Sequence, residues 1–378
     1  DEFSYLLKRS NKKEIEIEKQ HCKNVAFLDL EGMQKLNAID GDEWDQFAPW
    51  LSDAKCYTQE QPVSLSSNPG TCKFTESHFQ QLLDVNFTEP MPSDESPGGW
   101  ANIFHVVEWH KQRLRVITHS FDANQQQFPH LQLPSLDEVR FSIHEGEHTI
   151  CFDMASFFSQ FPLTEEVRNF MCFKRNGKLY RWCRLPMGHR PACHIAQAAL
   201  DRLCRRAASF AHTCKFVDNV KFTGTKAAIT KAALAFLEDC YKVHGTVNEL
   251  VDDGITDWMS LSEAEQLEYV TRQITTTTTF LGLDFDHVKK TVRVATKTLE
   301  KLERIWNLRW HWSLHDFSAY ISLCCYVHYA MDIPLAPEFD VLGVNRMISQ
   351  YGALSTHKTF LKEYWALPMP KEWLTGMH

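Results

Sequence analysis

Two aspartates set at the ends of apolar strand-like runs constrain this chain more than any other feature. Asp153 directly follows Ile150-Cys151-Phe152. Asp218 sits inside Lys215-Phe216-Val217-Asp218-Asn219-Val220-Lys221-Phe222, which has the content of two short strands hinged on Asp218-Asn219, a turn-favouring pair. A carboxylate on such an element is charged, desolvated and costly unless a cation offsets it. If the two elements are neighbours in one sheet, both side chains can point into one cleft and hold two divalent ions. Taken singly, each aspartate is more often a turn former or a helix cap.

The surrounding pattern says what kind of sheet this would be. Leu114-Arg115-Val116-Ile117 and Thr149-Ile150-Cys151-Phe152 read as strands, and Lys178 to Cys183 alternates as one arm of a hairpin turning at Asn176-Gly177. After Pro191, apolar residues at Ile195, Ala199, Leu203, Ala207 and Phe210 recur at helical spacing. Thr225 opens a second helix with Ile229, Ala233, Phe236, Leu237 and Cys240 on one face and Gly245 as its stop. Ser262 with Glu265 forms a capping box, and the run from Thr275 to Phe285 is β-branched and strand-like. A charged helix begins near Thr296 with Leu299, Leu302 and Ile305 facing inward. Strand, helix, hairpin, helix, strand is an α+β order, with an antiparallel sheet covered by helices on one face. There is no glycine-rich phosphate loop.

At 378 residues, 44% hydrophobic and 12% aromatic, the chain can bury two or three packed subdomains. Its net charge of −8 argues against a uniformly basic nucleic-acid surface, so any phosphate contact would depend on a local patch. The twelve cysteines form no zinc-like spacing, which suits reduced thiols inside the cell. The sequence starts at Asp1 without a charged-then-apolar leader, so a signal peptide is expected to be absent or removed. The apolar stretch from Ala319 to Met331 is too short to span a bilayer and is expected to be a buried helix, giving no membrane partner.

The joint pattern resembles the reverse transcriptases. Cys151-Phe152-Asp153-Met154-Ala155-Ser156-Phe157-Phe158-Ser159-Gln160-Phe161-Pro162-Leu163 resembles motif A of that family, and Leu185-Pro186-Met187-Gly188-His189-Arg190-Pro191 resembles motif B. Phe216-Val217-Asp218-Asn219 stands where motif C reads Tyr-x-Asp-Asp, Gly245 to Glu249 resembles motif D, and Phe280-Leu281-Gly282 resembles the strand after it. Lys111 to Ile117, with Asp122 and Asn124, resembles the basic fingers strand. The Met-Gly-His-Arg-Pro-Ala and Val-Asp-Asn spellings look most like tyrosine-recombinase retrotransposons of the DIRS and kinetoplastid VIPER kind, or a domesticated relative.

The resemblance implies roles for individual residues. Asp153 and Asp218 would bind magnesium or manganese, with the backbone carbonyl of Met154 completing a shell of oxygens. Asn219 would complete the catalytic set. Phe158 would stand under the incoming sugar and leave no room for a 2′-hydroxyl. Arg113 and Arg115 would hold the triphosphate, since guanidinium groups match phosphate oxygens in pairs. Met187 and Gly188 would let the loop backbone approach nucleotide and template. The chain also departs from the family. Asn219 replaces an aspartate, Phe157 is bulkier than usual before the gate, Met187 replaces a Gln, and Leu250 and Val251 occupy the place of a motif D lysine.

These observations together predict the α+β fingers and palm of a right-hand polymerase, followed by a helical thumb or connection. The expected layout is an N-terminal extension over 1–100, fingers over 101–150, palm over 151–290 with a fingers insertion at 164–190, and the helical region over 291–378. The expected activity is RNA-directed DNA polymerisation in retrotransposon replication, using an RNA template, a DNA or RNA primer and deoxynucleoside triphosphates. An alternative is a reverse-transcriptase-like scaffold that binds nucleic acid or protein partners, or self-associates, with catalysis weakened or lost. A third is RNA synthesis on a similar palm, against which Phe158 speaks. Nucleus or cytoplasm is the expected location, with the mitochondrion as another compartment. Basic and aromatic residues interleave at Trp306-Asn307-Leu308-Arg309-Trp310-His311-Trp312, which suits either a duplex grip or core packing.

Overall fold

Alternation of apolar and polar side chains builds the sheet that carries both aspartates. The protein is described by a computed structural model covering residues 17, 19–108, 111–333, 339–353 and 366–369. It divides into two compact units, one of Glu18–Val107 and Gln112–Thr276, the other of Asp1–Ile17, Glu108–Lys111 and Thr277–His378.

The larger unit contains, in chain order, strand β1 (Gln20–His21), helices α1 (Leu30–Lys35), α2 (Glu43–Phe47) and α3 (Glu76–Asp84), and strands β2 (Thr88–Pro90), β3 (Asn102–Glu108) and β4 (Arg113–His119). Helix α4 (Leu136–Phe141), strand β5 (His148–Asp153), strands β6 (Cys172–Arg175) and β7 (Lys178–Trp182), and helix α5 (Ala192–Cys204) follow. Strands β8 (His212–Phe216) and β9 (Asn219–Gly224), then helices α6 (Lys226–Lys242), α7 (Asn248–Asp252) and α8 (Glu263–Gln273), complete it. Three antiparallel or mixed sheets result, in the orders β5-β9-β8, β2-β7-β6 and β1-β4-β3.

The first of these is the central one. β5 pairs antiparallel with β9 from His148↔Gly224 to Asp153↔Asn219, and β9 pairs with β8. Ile150, Phe152, Val220 and Phe222 are buried on one face, where the rings of Phe152 and Phe222 lie 5.5 and 5.7 Å from Phe236 of α6. The other face carries a cross-strand row of Cys151, Lys221 and Cys214. Lys221 is completely buried, and its Nζ donates to Ser142 Oγ at 2.9 Å.

The N-terminal region proves to be part of this packing. Arg202 of α5 is fully buried and makes five hydrogen bonds to it: to Asp42 at 2.8 and 2.9 Å, to Asp45 at 2.9 Å, and to the carbonyls of Met33 and Gln34 at 2.8 Å. Of the expected extension over 1–100, residues 1–16 and 18 lie outside the described residues.

The smaller unit holds a β10-β11-β12 sheet of Thr277–Phe280, Leu283–Asp286 and Thr291–Val294, then helices α9 (Thr296–Asn307), α10 (Leu314–Ala330) and α11 (Phe339–Ala353). Its core gathers Ile305, Trp312, Phe317 and Ile321. Trp312 is core, whereas Trp310 is exposed and Arg309 lies 4.5 and 4.9 Å from the ring centres of Trp306 and Trp310. Among the described residues no helix is long and apolar enough to cross a membrane. Of the expected helical region over 291–378, residues 334–338, 354–365 and 370–378 lie outside the described residues.

Several local expectations need correction. The β8–β9 hairpin turns on Val217-Asp218, and Asn219 is already the first residue of β9. The helix after Pro191 stops at Cys204, leaving Phe210 beyond it and exposed. Helix α6 closes with His244, not Gly245, in the left-handed region at φ 59°. The amides of His244 and Gly245 then bond the carbonyls of Tyr241 and Cys240, a Schellman arrangement that any residue tolerating positive φ can nucleate. The run expected as one strand through Phe285 is broken by a Leu281-Gly282 turn with both φ positive. Leu299 is exposed, because the buried stripe of α9 centres on Ile305.

Burial pushes the Lys221 ammonium down to about 8, against partial compensation from Cys151 and Cys214. The unfolded chain therefore binds this proton more tightly, and the penalty is full below pH 8 and relieved as pH rises toward 10.5. Lys221→Met is expected to stabilise the fold by about 1–3 kcal/mol at pH 7. Urea denaturation at pH 7 and pH 10 should show this gain shrinking at the higher pH.

Candidate active site

The β8–β9 turn presents Asp218. Val217 sits at φ 57°, costly for a β-branched residue, and positive φ at only the first turn position is the II′ pattern that usually takes glycine. The surroundings hold it there. Gln197 of α5 accepts from the Val217 amide at 2.7 Å and donates to the Lys215 carbonyl at 3.4 Å. One buried amide thus clamps the strand end and the turn together.

Asp153 faces this turn across the sheet. It pairs directly with Asn219, and the Met154 amide continues the ladder by donating to the Asp218 carbonyl at 2.8 Å. Directly opposed residues have Cβ atoms ~5 Å apart. Asn219 Nδ2 donates to Asp218 Oδ1 at 2.9 Å, so the three side chains form one cluster. Asn248 Nδ2 donates to Asp153 Oδ2 at 2.5 Å, and Glu249 Oε2 accepts from the Asp153 amide at 3.1 Å. Each aspartate is therefore steadied by an asparagine amide.

Gln160 brings the Asn248 segment into place. Its fully buried side chain donates to the carbonyls of Ala155 and Thr246 at 2.7 and 2.9 Å and accepts from the Thr246 amide at 2.9 Å. Burial, with the charges of Asp153 and Asp252, raises the Glu249 carboxyl above its ordinary value. Partial desolvation and the Asp218 charge likewise raise the Cys193 thiol on the first turn of α5.

The remaining predicted residues lie on the β4 side and in the loop before α5. Gly188 has φ 107°, and a Cβ there would stand 2.5 Å from the Thr118 carbonyl oxygen, so only glycine fits. Thr118 donates to the Met187 carbonyl at 2.9 Å, and Arg115 Nη1 reaches Met187 Sδ at 3.7 Å. Asn124 donates to the Gly188 carbonyl and accepts from the Arg190 amide, at 2.9 and 2.8 Å. Arg113 Nη1 lies 2.9 Å from His21 Nδ1. Phe158 is half-buried, whereas Phe157 points into the core with its ring 4.9 Å from Phe161. The extra bulk of Phe157 is therefore taken up by the core. Leu250 is buried and Val251 exposed.

Among the described residues no group of three or more His, Cys, Asp and Glu side chains gathers as a metal site. The donors at the hairpin are two carboxylates and nearby backbone carbonyls. That hard-oxygen set suits magnesium or manganese and does not suit zinc.

Comparison with known proteins decides the fold. No protein-family model matches the chain. It is 26% identical over 150 residues to the retrovirus-related Pol polyprotein from transposon gypsy of Drosophila melanogaster, covering 38% of this chain and 14% of that protein. It also superposes on a foamy viral protease-reverse transcriptase in complex with double-stranded DNA, with a TM-score of 0.54 at 14% identity over 86% of this chain. The fold is that of a reverse transcriptase. A second foamy viral protease-reverse transcriptase structure, also with double-stranded DNA, matches with a TM-score of 0.50 at 15% identity over 80% of this chain. The chain spans 58% and 63% of those two structures, so it matches only part of each relative. The chain thus shares a 150-residue similarity with a retrotransposon Pol polyprotein and its fold with these structures.

Sequence reasoning missed Gln160, Gln197 and Asn248 as contributors to the site. Gln197 carried a signal, being the one polar residue in the run Ile195-Ala196-Gln197-Ala198-Ala199-Leu200. Gln160 and Asn248 lay inside the stretches likened to motifs A and D, but their roles arise from contacts between segments far apart in the chain and were not readable there. Val217→Gly is expected to relieve turn strain and raise stability by about 1 kcal/mol, while Gln197→Ala lowers it by about 1–2 kcal/mol. Thermal melting of both variants checks the pair.

Proposed function

We propose that the chain is an RNA-directed DNA polymerase of a retrotransposon, extending a primer with deoxynucleotides. The observation that carries this reading is Asp153 at the end of β5 set beside Asp218 in the β8–β9 turn, each held by an asparagine amide within a reverse-transcriptase fold. The spelling of the loop at Met187-Gly188-His189 and of Val217-Asp218-Asn219 supports an element of the DIRS or VIPER kind. In this reading 101–150 serves as fingers, 151–290 as palm and 291–378 as thumb or connection. The protein would work in the nucleus or cytoplasm.

Asp153, Asp218 and the Met154 carbonyl would hold two divalent ions, which supply activation of the primer hydroxyl and neutralisation of the triphosphate and leaving pyrophosphate. The residues of the chain do the positioning. The amides of Asn219 and Asn248 hold the two carboxylates in orientation before ions arrive. Asn219 adds a donor where a second carboxylate would add charge. Phe158 closes the space below the sugar and selects against a 2′-hydroxyl. Gly188 keeps the Met187 loop tight against β4, so nucleotide and template can approach its backbone. Arg113 and Arg115 hold phosphate oxygens.

Asn219 also favours a second reading, a scaffold with weakened catalysis, because the site carries one negative charge fewer than a two-aspartate hairpin. Primer extension on an RNA template with magnesium separates the two. The polymerase reading expects extension by the wild type, loss of at least about a hundredfold in Asp218→Ala with template binding retained, and a faster reaction in Asn219→Asp. Template binding without extension in the wild type and in Asn219→Asp would instead establish the scaffold.

A further inference from the structure

The N-terminal segment contributes a strand whose chemistry the reading above leaves unused. β1 adds in parallel to β4, with Gln20 opposite Leu114, His21 opposite Arg115, and the Leu114 amide bonded to the Lys19 carbonyl at 2.7 Å. Gln20 turns inward, where its amide donates to the His78 carbonyl at 3.0 Å and its oxygen meets His105 Nε2 at 2.6 Å. Strand alternation then turns Lys19 and His21 to the opposite face, the face of Arg113 and Arg115. Lys19 is exposed, and His21, Arg113 and Arg115 are half-buried. A chain of net charge −8 has here placed three permanent cations and an imidazole along two adjacent strands.

The imidazole is oriented within this row. A guanidinium can only donate, so His21 Nδ1 accepts from Arg113 at 2.9 Å, and the ring proton sits on Nε2. Arg113 thereby fixes His21 as a second donor beside its own. The row is also tied to the candidate active site. Arg115 touches Met187, the Met187 carbonyl holds Thr118, and the loop leads into α5, whose Gln197 clamps the turn presenting Asp218. Cations, a directed N–H donor and continuity with the carboxylate site suit a compact polyanion that must end at that site.

We propose that Lys19 and His21 complete the binding site for the triphosphate of the incoming nucleotide, so that the N-terminal strand is a working part of nucleotide binding. This rests on the polymerase reading for its substrate and deepens it. Arg113 and Arg115 grip phosphate oxygens in pairs, His21 adds a directed hydrogen bond, and Lys19 supplies charge at the solvent edge. A single-stranded template backbone is the competing polyanion for the same face.

The full chain would be tested as wild type, His21→Ala, Lys19→Ala and His21→Arg. Two equilibrium readouts are needed: binding of magnesium-dTTP with competition by inorganic tripolyphosphate, and binding of a labelled single-stranded RNA. Loss of about five- to tenfold in dTTP affinity in each alanine variant is expected, with RNA affinity unchanged, tripolyphosphate competing in the wild type, and His21→Arg retaining binding. In primer extension the alanine variants should raise KM for dTTP and leave kcat nearly constant. Unchanged dTTP affinity, or a fall in RNA affinity and its salt dependence instead, would overturn the assignment and leave the polymerase reading intact. Binding of dTTP that depends on His21 in a protein unable to extend a primer would uphold this site and remove that reading. A wild-type chain that binds no triphosphate would remove both.

Discussion

The pairing of β5 with β9 is the constraint on which the rest of the structure depends. Its register sets Asp153 against Asn219 and puts Asp218 one residue away in the turn. A slip of one residue would send Phe152 to the face of Lys221 and bury Asp153 against Phe236. The apolar residues at Ile150, Phe152, Val220 and Phe222 therefore do more than fill a core. Their burial against α6 forbids the wrong register, and the position of both carboxylates follows from it.

Around that pairing, polar side chains act as brackets between segments remote in sequence. Gln160 binds the loop after β5 to Thr246, Gln197 binds α5 to the turn, and Asn124 binds the loop at Gly188. Side-chain amides, buried at Gln160 and Gln197 and half-buried at Asn124, suit this work because each offers a donor and an acceptor without a charge to desolvate. The site is bracketed by hydrogen bonds where carboxylates must be held near each other against their mutual repulsion. Strain at Val217 is the local cost of that arrangement, and the bond to Gln197 offsets it.

Much of this was legible in the sequence, and the pattern of success has a physical cause. Strands β4, β5 and β7, helix α6 with its Thr225 cap and the Ser262 box all follow from local rules of periodicity and capping, and each appears in the structure. The order of short motifs around Asp153 and Asp218 was enough to point to the fold. Turn positions were less legible. At Val217 the chain takes left-handed backbone on a residue that local preference would reject, and at His244 on one that it tolerates but does not single out, because contacts with Gln197 and with the end of α6 decide the matter. The N-terminal hundred residues were unreadable for a related reason. Their elements are short and mostly polar, and what they do becomes visible only against α5 and β4.

Arg202 shows what that docking entails. Its guanidinium lies wholly inside the interface between α5 and the segment from Met33 to Asp45, and it depends on Asp42 and Asp45 for counter-charge. Removing one partner of a buried ion pair typically costs about 3–5 kcal/mol, because the other charge stays behind unpaired. A shortened protein trimmed to begin after Asp45 would strand that cation on the helix that also carries Gln197. The smallest soundly folded piece of the larger unit is thus bounded upstream of residue 33, well before Asp153.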